Sequence, residues 1–171
     1  MTAMGTNLAN ENGAVTKAMI DYYRERAKGG AGLIVTEIVS VDSPQGYAIA
    51  NQLSLDDNSQ IASHNELVEA VKEHGAKIIC QLHHAGRQTS HESTRGIQPV
   101  APSVIPDPYL GALPKELTLP EIKTLIKKFI DAAVRAQYAG YDGVEIHGAH
   151  GYLVAQFMSP ASNKRTDLYG G

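Results

Sequence analysis

Apolar residues along this chain follow two rhythms that alternate. Residues 17–28 read as a helix, closed by Gly29, Gly30 and Gly32, and Leu33-Ile34-Val35-Thr36-Glu37 follows as a short apolar run with a polar end. The order repeats from Ser63-His64-Asn65-Glu66 through Gly75 to Lys77-Ile78-Ile79-Cys80-Gln81-Leu82-His83. It repeats again from Thr118-Leu119-Pro120-Glu121 through Gly140 to Gly143-Val144-Glu145-Ile146-His147. Ser63 with Glu66, and Thr118 with Glu121, have capping-box spacing: the hydroxyl accepts from a free backbone N–H and the carboxylate reaches back to the cap. In the third helix Ile122, Leu125, Ile126, Phe129, Ile130, Ala133 and Val134 recur at helical spacing and predict one apolar face. Glycine at each helix end supplies the left-handed turn that stops it.

The strand segments are continuously apolar rather than alternating, the mark of strands covered on both faces in a parallel sheet. Helix and strand in strict alternation predict right-handed βαβ units. Residues 1–4 read as the tail of an earlier strand, which makes four strand positions. An open doubly wound sheet usually carries a glycine-rich phosphate turn after its first strand, whereas Gly5-Thr6-Asn7 has one glycine. Polar residues gathered at strand C-termini fit the catalytic face of a (β/α)8 TIM barrel, and a whole barrel takes about 250 residues. The expectation is therefore an α/β chain of 171 residues forming a single partial domain, 1–171, about half a barrel with its first strand truncated. Residues 84–117, with Pro99, Pro102, Pro106, Pro108 and Pro114, exceed an ordinary connection and predict an ordered excursion over the barrel top, including a short hairpin.

Composition narrows the class. Hydrophobic residues make up 43% of the chain, enough for a core. Fifteen basic against eighteen acidic residues leave a net charge of −3, which gives no reason to expect nucleic acid or a membrane surface as partner. One cysteine, Cys80, excludes an intrachain disulfide and a cysteine-based zinc site. With no long apolar run and no signal-peptide layout at the start, the expected setting is soluble, reducing and cytoplasmic.

Three strand ends carry candidate chemistry. After the last strand come His147, His150 and Tyr152, interleaved with Gly148, Ala149 and Gly151. Two imidazoles can donate to one developing oxyanion, small neighbours let a ligand reach the backbone, and a phenol of pKa about 10 keeps its proton at neutral pH. The same residues could instead be a histidine-rich turn satisfying carbonyls, or two ligands of a metal site completed by a carboxylate. Gln81 ends its strand with both a donor and an acceptor, suited to the edge of a heterocycle or to a neighbouring strand's side chain. Arg87 reads as an anion ligand or an ion-pair partner. Glu37, with Thr36 at a strand end, reads as a catalytic carboxylate or, the favoured reading, as a buried, ion-paired structural one. Residues 162–167 read as a loop held by its own side chains.

Taken together, Gln81-Leu82-His83-His84-Ala85-Gly86-Arg87, the segment 145–153 and Ser159-Pro160-Ala161-Ser162-Asn163-Lys164-Arg165-Thr166-Asp167-Leu168-Tyr169-Gly170-Gly171 resemble the Old Yellow Enzyme family of FMN-dependent ene-reductases. Within it the chain is similar to the bacterial NADH:flavin oxidoreductases and 2,4-dienoyl-CoA-reductase-like enzymes. The resemblance covers the N-terminal half of that family's barrel. It implies that Gln81 hydrogen-bonds the flavin pyrimidine, that the backbone of Ala3, Met4 and Gly5 touches the isoalloxazine, and that Ile38 sits beside it. It implies that His147 and His150 bind the substrate carbonyl oxygen and that Tyr152 delivers a proton to the substrate carbon. The implied reaction is ping-pong: NAD(P)H reduces FMN, and hydride then passes to the C=C of an α,β-unsaturated carbonyl compound, an enone or an enoyl thioester. Ala3 stands where the family commonly has proline, and Gly5 where some relatives have a redox-tuning cysteine.

In such barrels the phosphate is gripped by loops after strands seven and eight. The half-barrel alone is thus expected to bind FMN weakly or not at all, and a 4Fe-4S cluster has a place only in a missing C-terminal region. Unpaired strand edges predict association with a second copy as a homo-oligomer. Two other readings stay open at this point: a catalytically incompetent fragment, and a metal-dependent barrel hydrolase using His147 and His150.

Overall fold

The computed structural model describes residues 1–170. In chain order the elements are α1 (Lys17–Lys28), β1 (Leu33–Ser40), β2 (Leu53–Ser54), α2 (Ile61–Lys72), β3 (Lys77–His83), β4 (Val100–Ala101), β5 (Lys115–Glu116), α3 (Leu119–Tyr138), β6 (Gly143–Ile146) and α4 (Leu153–Met158). The main sheet has the order β2-β1-β3-β6 and every pairing in it is parallel. Residues 1–4 form no ladder. Met1 alone lies along the foot of β1: its carbonyl accepts from Val35 N at 3.0 Å, and its amino group donates to Leu33 O at 2.6 Å.

Helices cover one face. Met19, Tyr23 and Ala27 of α1, Leu67, Val68 and Val71 of α2, and Ala132 and Ala136 of α3 pack on Ile34, Ile78, Cys80 and Leu82 of the sheet. All are buried because β1 and β3 are central strands, as their unbroken apolar runs predict. β1 runs beyond Glu37 to Ser40. A register shift between Val35 and Ile38 lets Ile38, Val39 and Ser40 pair with Gln81, Leu82 and His83. Such a bulge redirects a strand end.

Four expectations need correction. α2 is not capped at Ser63: it grows directly from a 3-10 turn, Asn58–Gln60, whose capping box is Asp57 with Gln60. Asp57 accepts from Ser59 N at 2.8 Å, Gln60 Oε1 accepts from Asp57 N at 3.1 Å, and Ser63, already inside the helix, donates to Gln60 O at 3.0 Å. The Thr118–Glu121 box forms as read. β2 was not foreseen, being two residues long. The excursion at 84–117 holds a parallel pair rather than a hairpin, Val100 with Lys115 and Ala101 with Glu116, because the chain loops out and re-enters in the same direction.

The fourth correction concerns α3. Its buried face is Ile122, Leu125, Ala132 and Ala136, while Ile126, Ile130 and Val134 are 45%, 57% and 43% exposed. On β6 Val144 and Ile146 are exposed as well, since β6 pairs with β3 on one side and has no strand on the other among the described residues. Of these, Ile122, Leu125, Ile126, Ile130 and Ile146 line, with Leu153 and Phe157, an apolar groove of about 310 Å³.

Candidate functional site

The bulge in β1, the end of β3 and the turn after β6 all open on the same side of the sheet. There Ala3, Met4, Gly5, Ile38, Gln81, His147, His150 and Tyr152, the eight residues to which the family resemblance gives a role, line one open cavity of about 640 Å³, while Arg87 and Glu37 lie outside its lining. Asn7, Ala48, Ile49, Ala50, Glu92 and Ser93 complete the lining. These were not foreseen, because they lie on loops without a periodic or motif signal.

The segment 3–5 is held by a carboxylate. Glu37 is fully buried, and its Oε2 accepts from Thr6 N at 2.9 Å and from the Thr6 hydroxyl. It is not ion-paired, contrary to expectation; burial pushes its carboxyl above the usual range, and Oε1 has no partner among the described residues. Glu37 therefore fixes the chain directly after Gly5. Gln81 is nearly buried; its amide N donates to Thr36 Oγ1 at 3.1 Å and its Nε2 donates to Glu145. One N–H and the carbonyl of the Gln81 carboxamide are left for a ligand.

The turn after β6 is set by backbone geometry. His150 has φ 55° and Gly151 φ 77°, a consecutive left-handed pair, and the cost of this conformation for a non-glycine residue is typical of functional turns. Gln156 of α4, buried, ties this turn to the one after β3. Its Nε2 donates to Gly151 O at 2.7 Å and Ala85 O at 3.1 Å, and its Oε1 accepts from Arg87 N at 3.2 Å. Gly86, at φ 63°, is required there, because a Cβ would stand 2.2 Å from Gln156 Oε1.

Hydrogen bonds fix the ring protons. Ala149 N donates to His147 Nδ1 at 3.3 Å, so the neutral His147 carries its proton on Nε2. That Nε2 lies 3.2 Å from His150 Nδ1, which then accepts and leaves His150 Nε2 as the outward donor. The pair thus presents one N–H; a second donor to the same ligand oxygen requires the His150 ring to turn, a rearrangement common when a ligand arrives. Burial, then the neighbouring His150, lowers the His147 pKa and favours the neutral donor. Tyr152 caps the start of α4 with its ring 5.0 Å from that of His147. Burial raises its phenol above the ordinary value, so at neutral pH it holds a proton to give.

Arg87 donates to the carbonyls of Ile105 and Pro106, a structural role rather than an ion pair. The 162–167 loop is self-held only in part: Arg165 pairs with Asp167, but Asn163 donates to Phe157 O and Tyr169 O, and Arg165 also donates to Pro102 O and Leu117 O of the 84–117 excursion. No group of three or more metal-ligating side chains converges among the described residues, and His147 and His150 bond to each other. No helix among them is long and apolar enough to cross a membrane.

The cavity fits the ring system of a flavin: Met4, Ile38 and Ile49 supply apolar surface, and Gln81 a polar edge. It has no lysine or arginine in its lining to meet a phosphate.

Comparison with known proteins agrees with this geometry. The family model described as NADH:flavin oxidoreductase / NADH oxidase matches residues 1–171. An NADH oxidase of Thermoanaerobacter brockii is 58% identical over 171 residues, all of this chain and 26% of that protein. The old yellow enzyme homologue from Zymomonas mobilis superposes with a TM-score of 0.90 at 33% identity, covering 100% of this chain and 50% of that one. Morphinone reductase in complex with tetrahydroNAD superposes at 0.92 with 30% identity and the same coverage. The chain spans about half the length of these solved structures and about a quarter of the NADH oxidase. Four parallel strands with flanking helices are half of such a TIM barrel. The chain belongs to the NADH:flavin oxidoreductase / NADH oxidase family.

Proposed function

We propose that this chain holds the flavin ring and delivers the proton in an FMN-dependent oxidoreductase that reduces the C=C bond of an α,β-unsaturated carbonyl compound, an enone or enoyl thioester. The observation that carries the reading is the convergence of Gln81, His147, His150 and Tyr152 on one cavity floored by Met4 and Ile38. When bound, FMN supplies a hydride taken from NAD(P)H. Gln81 and the backbone of residues 3–5 hold and orient the ring. The His150 Nε2–H, joined by His147 once the rings separate, stabilises the negative charge that gathers on the substrate carbonyl oxygen as hydride reaches the β-carbon. Tyr152 Oη gives its proton to the α-carbon and regains one from solvent. In this reading the protein works in the cytoplasm, where NAD(P)H is held and a lone thiol such as Cys80 stays reduced.

The same reading places the phosphate grip outside the cavity lining and gives the apolar β6–α3 face to a second copy. Titration of the 171-residue chain with FMN, followed by flavin fluorescence, tests it. Weak, saturable binding that Gln81→Ala lowers about tenfold supports the ring site, since one hydrogen bond of about 1.4 kcal/mol is a factor of ten. Binding that ignores Gln81 overturns it, whereas a folded chain that shows no saturable binding points to the missing phosphate grip and favours the incompetent half-barrel. The alternative reading, a half-barrel incompetent by itself, is favoured by binding without turnover of NAD(P)H and an enone.

A further inference from the structure

Behind the cavity wall lies a second histidine that the mechanism does not use. His83, the last residue of β3, is 1% exposed, and its Nδ1 lies 3.1 Å from Gln52 Nε2. Gln52 is also fully buried, and its Oε1 accepts from Ala48 N at 2.7 Å. A backbone N–H can only donate, so the Gln52 carbonyl faces Ala48 and its NH2 faces His83. His83 Nδ1 must then accept, and the single proton of the neutral ring sits on Nε2. Protonation of Nδ1 would set two donors against each other. The Nε2–H has no hydrogen-bond partner among the described residues.

The surroundings of His83 are the site itself. Its ring meets Tyr152 edge to face with centroids 4.4 Å apart, and lies 5.5 Å from His147 at 68°. The titratable groups around it are His84, His147 and Tyr152, none of them an anion that would draw a proton onto it. Burial and the two histidines drive its pKa well below the ordinary value, in agreement with the hydrogen-bond logic. At the other end Ala48 lines the cavity, with its carbonyl accepting from Ser93 Oγ at 3.3 Å.

We propose that Gln52 and His83 are positioning residues: Gln52 couples the cavity wall at Ala48 to a His83 ring locked with its proton on Nε2, and that ring holds Tyr152 in place. The inference rests on the reading of Tyr152 as proton donor only for its consequence in catalysis. An edge-to-face contact is attractive beyond the burial of the two rings. A histidine free to switch tautomer or charge would offer Tyr152 two different edges.

The test is ring nitrogen and carbon NMR of the 171-residue chain, with no cofactor needed. In the unaltered chain His83 should show one neutral tautomer, proton on Nε2, from about pH 5 to about pH 8, the window in which an ordinary histidine titrates. A proton on Nδ1, or titration within that window, overturns the lock even if no variant folds. In Gln52→Glu the carboxylate demands a proton on Nδ1, so the His83 signals should shift to that form and the Tyr152 ring signals should move with them. Unmoved His83 signals show that Gln52 does not set the tautomer; moved His83 with unmoved Tyr152 shows that the coupling stops short of the phenol. Either result defeats the proposal. All readouts are independent of turnover, so a Tyr152 that proves not to be the proton donor leaves the coupling standing, and loss of the coupling leaves the enone reading standing.

Discussion

At the scale of single residues, the site depends on which groups hold protons. Tyr152 keeps its proton because burial disfavours the phenolate, and nothing in its surroundings supplies a compensating cation. On the proposed reading it therefore serves as a donor to carbon rather than as a general base. Tyr152→Phe removes one hydroxyl and keeps the ring that His83 and His147 pack against. In a protein that completes the barrel, stopped-flow measurement should show reoxidation by an enone slowed about 10²–10⁴-fold, the usual range for a lost general acid. Reduction by NAD(P)H should change little. Equal losses in both half-reactions would take the proton-donor role away from Tyr152.

At the scale of elements, the units are pinned by buried polar contacts that composition does not reveal. His64 of α2 is fully buried between β2 and the entry to β6: Nε2 donates to Ser54 O at 3.0 Å, and Nδ1 accepts from Tyr141 OH at 2.8 Å. The bond accepted at Nδ1 requires the neutral ring, and burial lowers its pKa from 6.5 to about 4 against the opposing pull of the Ser54 carbonyl. The folded state then binds fewer protons than the unfolded one. Stability from this group is full above pH 6.5 and is lost as pH falls from there towards 4, by about 3 kcal/mol at ~1.4 kcal/mol per unit. His83 and His147, also lowered, act in the same direction. Urea unfolding of the chain and of His64→Gln, which cannot titrate, should give a stability gap that narrows between pH ~7 and pH ~4. A gap independent of pH would refute the buried neutral ring.

The same contacts explain what the sequence could and could not reveal. Parallel strands were legible because Leu33 to Val35 and Ile78 to Cys80 are unbroken apolar runs that follow a glycine-closed helix end, and Thr118–Glu121 because a capping box is local. Gln81, His147, His150 and Tyr152 were legible because barrel topology gathers strand ends, whichever loops intervene. Ser63–Glu66 has capping-box spacing yet lies inside α2, because Asp57–Gln60, six residues earlier, already starts the turn from which the helix grows. Gln52, Ala48 and Gln156 had no local signal. Their roles come from contacts across sequence distance, such as Gln52 with His83 and Gln156 with Ala85.

At the scale of the molecule, one face is unfinished. The α3 stripe was read correctly as apolar, yet Ile126 and Ile130 are exposed, and beside them β6 presents an unpaired parallel edge with Val144 and Ile146 uncovered. A contiguous apolar face flanking an open edge favours burial against another surface. In the proposed association, a second copy would lay its first strand position, where Met1 holds only the foot of β1, along β6. The chain should then sediment at micromolar concentration as a species heavier than one copy. Ile130→Glu places a charge in the groove without touching the buried side of α3, so helicity and the unfolding midpoint at low concentration should stay as they are. Dissociation should strengthen at least tenfold, the effect of about 1.4 kcal/mol at the interface. A chain that sediments as a monomer at these concentrations, or an association indifferent to Ile130→Glu, would show that this face is not where copies meet. The groove would then belong to the polypeptide that completes the barrel in its longer relatives.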